Sequence, residues 1–407
     1  MNIMFLIFSF NIGGIERQLI EMCNAMVHRH RIWLCVINRD YTDSLLAELS
    51  DNVTVILLNK EPGHGGMLPY MKQLAEVIRR EHIQILHCQG INCVIFSALV
   101  RVFSPRTRIL NTVHDIGNYS SYSSGKIFVQ NRICDMTIAI SHSVEKEIRS
   151  RAVPQEKIIT IYNAINIEKF QYRPHKSGRN TSSAANGLPA QDRTIRICNV
   201  ARFYPAKKGQ DLLVEALLKL RDHCPDLNFH CTFAGAPAAG QEETLHRLQQ
   251  QIHAAGMDAS FSFLGNVDDV PVLLAQQDFF VLPSRYEGFG ISLVEAMATG
   301  LPCVAADLDG PAEIMRKSEC VENNSEDSNK YAGCNESNTS RSYYKTPFGI
   351  VFKPGDSDSL AAALKEIIEN LDSYDRRAIS DYARNTFSMA CLVEQHLSLY
   401  ERLLHGN

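Results

Sequence analysis

The chain has 407 residues, too many for one ordinary hydrophobic core, so two domains are expected. Hydrophobic content of 45% and charged content of 21% are those of a globular protein, and a net charge of −4 gives no case for nucleic-acid binding. No apolar run approaches the roughly 20 residues that a membrane-spanning helix needs, so the chain is expected to be soluble or peripheral. None of the twelve cysteines falls in a C-x-x-C pair, and most lie in apolar runs such as Trp33–Ile37 and Ile195–Cys198. Buried free thiols in a reducing, cytoplasmic compartment are expected rather than disulfides or zinc.

The N-terminal run Met1–Phe10 has a signal-peptide-like core but no basic flank or small-x-small site, so it reads as a buried strand ending at Gly13-Gly14. Further strands are expected over Ile32–Ile37, Val53–Leu58, Ile83–His87, Arg108–Thr112 and Met136–Ile140, with helices such as Ile15–Val27 and Met71–Arg80 between them. The alternation restarts after a polar stretch: Ile195–Val200, helix Gln210–Leu220, Asn228–Ala234, helix Glu243–Ala255, Phe261–Leu264, Phe279–Leu282 and Cys303–Ala306. Alternation of this kind signals parallel α/β sheets covered on both faces. The expected organisation is a first domain over 1–170, a polar linker over 171–193, a second domain over 194–386 and a C-terminal helix in 387–407 packing back on the domains. Lys317–Thr346 holds no Leu, Ile, Met or Phe, and is expected to be a mobile insertion. Its sequons at Asn323, Asn335 and Asn338 are what an Asn/Ser-rich stretch yields by chance. In doubly wound domains ligands sit beyond the carboxyl ends of the strands, here in a cleft between two facing domains.

The densest chemistry lies in Glu287-Gly288-Phe289-Gly290-Ile291-Ser292-Leu293-Val294-Glu295. A glycine turn opening into a helix leaves backbone N–H groups for an anion, which the helix dipole also favours. The flanking carboxylates, Glu287 and Glu295, would repel a phosphate but suit hydroxyls, a sugar at one end and a ribose at the other. Upstream, Arg202, Lys207 and Lys208 lie on the loop after a strand, and guanidinium plus ammonium form a natural clamp for a diphosphate. Taken alone, that loop reads better as a solvated basic turn, and the Gly-x-Gly helix start downstream is what favours the clamp.

The motifs Arg202…Lys208-Gly209, Pro283–Gly290…Glu295-Ala296 and Gly300-Leu301-Pro302-Cys303-Val304-Ala305-Ala306 resemble the retaining glycosyltransferases of family 4 (GT4). Gly13-Gly14-Ile15-Glu16-Arg17 is similar to the family's Gly-Gly-Ala-Glu-Arg, and Tyr162–Phe170 to its hinge, with Tyr162 and Ala164 where proline and glycine are common. The resemblance implies the GT-B architecture, two doubly wound Rossmann-like domains facing each other across a cleft. It implies a retaining transfer from a nucleotide diphosphate sugar, UDP before GDP by frequency in the family, to a glycan or lipid-linked glycan, as in surface polysaccharide or glycolipid synthesis. Glu287 would then bind the transferred sugar, Glu295 the ribose, and Arg202 and Lys208 the leaving diphosphate. The N–H groups of Gly288, Phe289, Gly290 and Ile291 would cradle the donor, Gly14 would approach its phosphate, and His114 would face its sugar. Lys208 is preferred to Lys207 because it adjoins the glycine.

The family is metal-independent, so no metal site and no cofactor are expected. Asp307-Leu308-Asp309 and Asp356-Ser357-Asp358 read as turn and N-cap carboxylates rather than metal ligands. The expected location is cytoplasmic, including the inner face of the membrane, with Arg79, Arg80, Arg101, Arg106 and Arg108 as surface charge open to anionic lipid. Two rival readings are a sugar-nucleotide epimerase of the same fold and a non-catalytic nucleotide-sugar-binding protein.

Overall fold

The computed structural model describes residues 1–63, 66–114, 117–172, 193–316 and 342–406. Most of the linker expected over 171–193 and of the insertion expected over 317–346 therefore lies outside the described residues, as do the three sequons. The chain divides into two compact units, Met1–Asn166 with Asn385–Asn407, and Ile167–Arg384.

The first unit holds seven parallel strands in the order β3-β2-β1-β4-β5-β6-β7. They are β1 (Asn2–Ile7), β2 (Arg31–Asn38), β3 (Thr54–Lys60), β4 (Ile85–Gln89), β5 (Arg108–Val113), β6 (Met136–Ala139) and β7 (Ile158–Thr160). Side chains alternate across a sheet, and the sequence fills both faces with apolar groups. Ile3, Phe5, Leu34 and Val36 join one core, whereas Met4, Leu6, Trp33 and Cys35 join another. The first of these cores is completed by Leu392, Leu397 and Tyr400 of the C-terminal helix Met389–His405. That helix starts on Ser388, whose Oγ accepts from Cys391 N at 3.3 Å.

The second unit repeats the plan in the order β10-β9-β8-β11-β12-β14-β13. Its strands are β8 (Ile195–Val200), β9 (Phe229–Ala234), β10 (Phe261–Phe263), β11 (Phe279–Leu282), β12 (Cys303–Ala306), β13 (Tyr343–Thr346) and β14 (Gly349–Phe352). Among the described residues only the edge strand β13 is antiparallel, to β14. Most expected elements are present, with limits shifted at their ends. Residues 343–346, expected within the mobile insertion, instead form β13. The Leu/Ile/Met/Phe count overlooked two tyrosines: Tyr344 lies 5.2 Å under the Arg316 guanidinium, and the Tyr343 hydroxyl donates to Glu366 Oε2 at 2.8 Å.

Asp356 caps the helix Ser357–Glu369, accepting from Ser359 N at 3.0 Å. Asp307 is no cap, because it is held by Arg316 at 2.8 Å and by the Tyr344 hydroxyl at 3.0 Å. Nine of the described cysteines are buried and free, with burial pushing thiols such as Cys93 up to about 12.

Candidate functional site

Each sheet reverses its strand order once, between β1 and β4 and between β8 and β11. In doubly wound folds ligands bind at such a reversal, beyond the carboxyl ends of the strands. The residues singled out in the sequence fall at these two places.

In the second unit, the loop after β8 carries Arg202 and the loop after β11 carries Glu287. Arg202 is exposed, but its backbone is held on both sides. Ala201 N donates to Ala234 O and Phe203 N to Ala236 O, both at 2.9 Å, and buried Gln210 donates to the Arg202 carbonyl at 3.1 Å. The chain then makes one helical turn, Pro205–Lys208, stopped by Gly209 at φ +71°. A Cβ at Gly209 would overlap the Pro283 carbonyl, so only glycine lets the two loops meet. The approach brings Lys208 Nζ to 2.7 Å from Glu287 Oε2, with both side chains largely buried. Ser284 Oγ donates to the same oxygen at 3.4 Å. Lys207 contributes its carbonyl instead, accepting from Arg285 N at 2.8 Å.

Gly290, at φ +104°, then turns the chain into the helix Ile291–Ala298. Leu293 and Val294 donate to the Gly290 carbonyl, whereas among the described residues no backbone partner takes the N–H groups of Ile291 and Ser292. Gly288 and Phe289 are buried beside this turn, and Glu295 sits half-buried on the helix. Sequence reasoning missed the pair that locks the loops: Arg285 reaches Asp211 through both terminal nitrogens, at 2.7 and 3.0 Å, and the Pro205 carbonyl at 2.8 Å. An arginine within the glycine-turn motif was the available signal, but its partner lies far away in sequence.

In the first unit, Gly14 opens the helix Gly14–Met26 after β1, and His114 follows β5. His114 Nε2 donates to Gln89 Oε1 at 2.7 Å, at the end of β4. A small cavity beside them is lined by Gln18, His87, Gln89, Thr112, His114 and His396, among other residues. Three buried polar atoms here, Gln18 Oε1, Gln89 Nε2 and His114 Nδ1, have no hydrogen-bond partner among the described residues. Such groups in a native fold call for a water or ligand. Burial, with His396 nearby, pushes His114 down to about 4, so at neutral pH the ring is uncharged and Nδ1 is an acceptor. Below it, His87 bridges the Tyr400 hydroxyl at 2.7 Å and the Thr112 hydroxyl at 2.6 Å, and His396 donates to Leu392 O at 2.8 Å. Gln89 was not read from the sequence, since a lone glutamine after a strand carries no motif.

Two family models match the chain, glycosyltransferase family 4 over residues 12–169 and glycosyl transferases group 1 over residues 194–370. The chain belongs to the family 4, group 1 glycosyltransferases. Over 256 residues it is 28% identical to N-acetyl-alpha-D-glucosaminyl L-malate synthase of Bacillus anthracis, a match covering 61% of this chain and 63% of that protein. It is 24% identical over 249 residues to the UDP-Gal:alpha-D-GlcNAc-diphosphoundecaprenol alpha-1,3-galactosyltransferase of Escherichia coli, covering 58% and 61%. These matches span less than two thirds of each relative's length. The crystal structure of Anabaena HepE in complex with UDP superposes with a TM-score of 0.77 at 21% identity, covering 98% of this chain and all of that one. The shared fold is GT-B, two Rossmann-like domains.

Proposed function

We propose that the chain transfers a hexose or N-acetylhexosamine from a nucleotide diphosphate sugar to a hydroxyl of a glycan or lipid-linked glycan, with retention at the anomeric carbon and without a metal. The Lys208–Glu287 pair at the reversal point between β8 and β11 carries this reading. It sets a cation where a diphosphate would leave and a carboxylate where sugar hydroxyls would lie. In the transfer, the anomeric C–O bond breaks and its electron pair goes to the leaving phosphate. Arg202, Lys208 and the open start of the helix Ile291–Ala298 meet that charge, as preorganised groups at a developing oxyanion do. The acceptor oxygen forms the new bond on the same face and passes its proton to a leaving phosphate oxygen. Glu287 accepts from sugar hydroxyls, Glu295 from the ribose, and neutral His114 accepts a hydroxyl through Nδ1. Gly14 and the N–H groups of Gly288 to Ile291 approach the phosphates.

UDP is favoured because the HepE structure holds it and the Escherichia coli relative is named for a UDP sugar. That relative's lipid diphosphate acceptor supports work at the cytoplasmic face of the membrane. A donor screen following release of nucleoside diphosphate, with and without a lipid-diphosphate sugar, tests the proposal. Release from one donor only when acceptor is present is expected. Tight donor binding without release from any donor would sink it in favour of a binding protein, and a change in the donor sugar without acceptor would favour an epimerase.

A further inference from the structure

We propose that the face built from the helices Val100–Phe103 and Ser124–Ile133 docks on a bilayer bearing anionic lipid, a step that rests on the lipid-linked acceptor above. The two helices meet at one junction, where Arg101 Nε donates to Ile133 O at 2.7 Å and Nη2 pairs with Asp135. Around it the fold leaves four large apolar side chains to solvent: Val102 (72% exposed), Phe103 (51%), Phe128 (62%) and Val129 (38%). The helix Ser124–Ile133 also turns against what its own core would select. It buries Gln130, which donates to the Tyr119 hydroxyl at 2.8 Å and the Thr137 hydroxyl at 3.1 Å, while Phe128 and Val129 face outward. A helix shaped by internal packing alone would place these residues the other way round.

Charge selects the occupant. From Ser97 to Cys134 the sequence has Arg101, Arg106, Arg108, Lys126 and Arg132 against a single acid, Asp115. Arg101 and Arg108 are committed to Asp135, and Arg80 on another helix to Glu81. The exposed cations at this face are therefore Arg106, one of the surface charges named from the sequence, with Lys126 and Arg132. Arg132 lies 5.4 Å over the Phe128 ring and Lys126 5.4 Å over that of Tyr122. An aromatic body with a cation beside it matches the headgroup boundary, where the ring enters the acyl edge and the cation meets lipid phosphate. No helix among the described residues is long and apolar enough to cross a membrane, so this contact is interfacial.

Co-sedimentation of the full chain with vesicles of phosphatidylcholine alone, or with about 30% phosphatidylglycerol, tests the face. Binding to the anionic vesicles only is expected. Phe128→Ser with Val129→Ser should weaken it about tenfold or more, and Lys126→Glu with Arg132→Glu about fivefold per charge. Nucleoside diphosphate release from donor and a water-soluble acceptor, read on the same variants, should stay at the parent level. Absence of binding by the parent protein, or equal binding by the variants, overturns the proposal. So does a change of oligomeric state in Phe128→Ser with Val129→Ser at unchanged vesicle binding, which would make this a face between copies. Vesicle binding that follows these residues while no transfer occurs with any donor would leave the docking face standing and remove the proposed function.

Discussion

The two sheets present opposite chemistry at their points of strand reversal. In the second unit the loops are tied by charge, Lys208 to Glu287 and Arg285 to Asp211. In the first unit the cavity at the equivalent place is lined by no Asp, Glu, Lys or Arg, and Gln18, Gln89 and His114 each keep a buried polar atom there without a partner among the described residues. Charges set in place beforehand suit a reaction in which charge develops on a leaving group, because little reorganisation then remains. Uncharged donors and acceptors suit recognition of hydroxyls, where an unmet hydrogen bond discriminates strongly.

The largest test of this contrast removes the charged pair. Glu287→Ala and Lys208→Ala should each lower nucleoside diphosphate release by about a hundredfold or more with an unchanged circular dichroism spectrum. Near-parent rates in both would place the chemistry elsewhere. Next, Gly209→Ala should destabilise the second unit by about 3 kcal/mol, since its Cβ would overlap the Pro283 carbonyl. Thermal unfolding should show the loss, and an unshifted midpoint would mean the two loops do not depend on that approach.

The neutral end should answer to pH. His114 and His396 are each pushed down to about 4 by burial, and His87 well below its usual range. For His114 and His396 the unfolded chain binds the proton near pH 6.5 and the folded chain only near 4, so stability is level above about 6.5 and falls as pH drops toward 4. The loss is of order 2 kcal/mol at pH 5 for each of these two histidines. Urea unfolding of the parent and of His396→Leu across pH 7 to 5 should show a shallower slope in the variant, and identical slopes would remove His396 from the account. The smallest effect is expected from Asp211→Asn, about 0.5–1 kcal/mol, because the Asp211 carboxylate is 45% exposed and solvent screens its pair with Arg285. Chemical denaturation resolves a change of that size.

The doubly wound plan was legible because buried parallel strands and amphipathic helices leave periodic marks on any short window. β7 and β14 were not read, since runs of three or four apolar residues look alike in strand or helix. Glu287, Gly290 and Lys208 were legible because a glycine turn at a helix start, with charges beside it, is a local pattern. Arg285 with Asp211 and Gln89 with His114 were not, because each pair joins segments distant in sequence.

By itself the sequence determined the two α/β repeats, the glycine turn into Ile291–Ala298 and the identity of the charged groups, all of which depend on neighbours along the chain. Only the tertiary structure decided that Lys208 rather than Lys207 reaches Glu287, that the C-terminal helix completes the first unit's core, and that Phe128 stays in solvent while Gln130 is buried. These outcomes follow from the close approach of segments remote in sequence, where sterics and hydrogen-bond partners, not periodicity, choose among side chains that read alike.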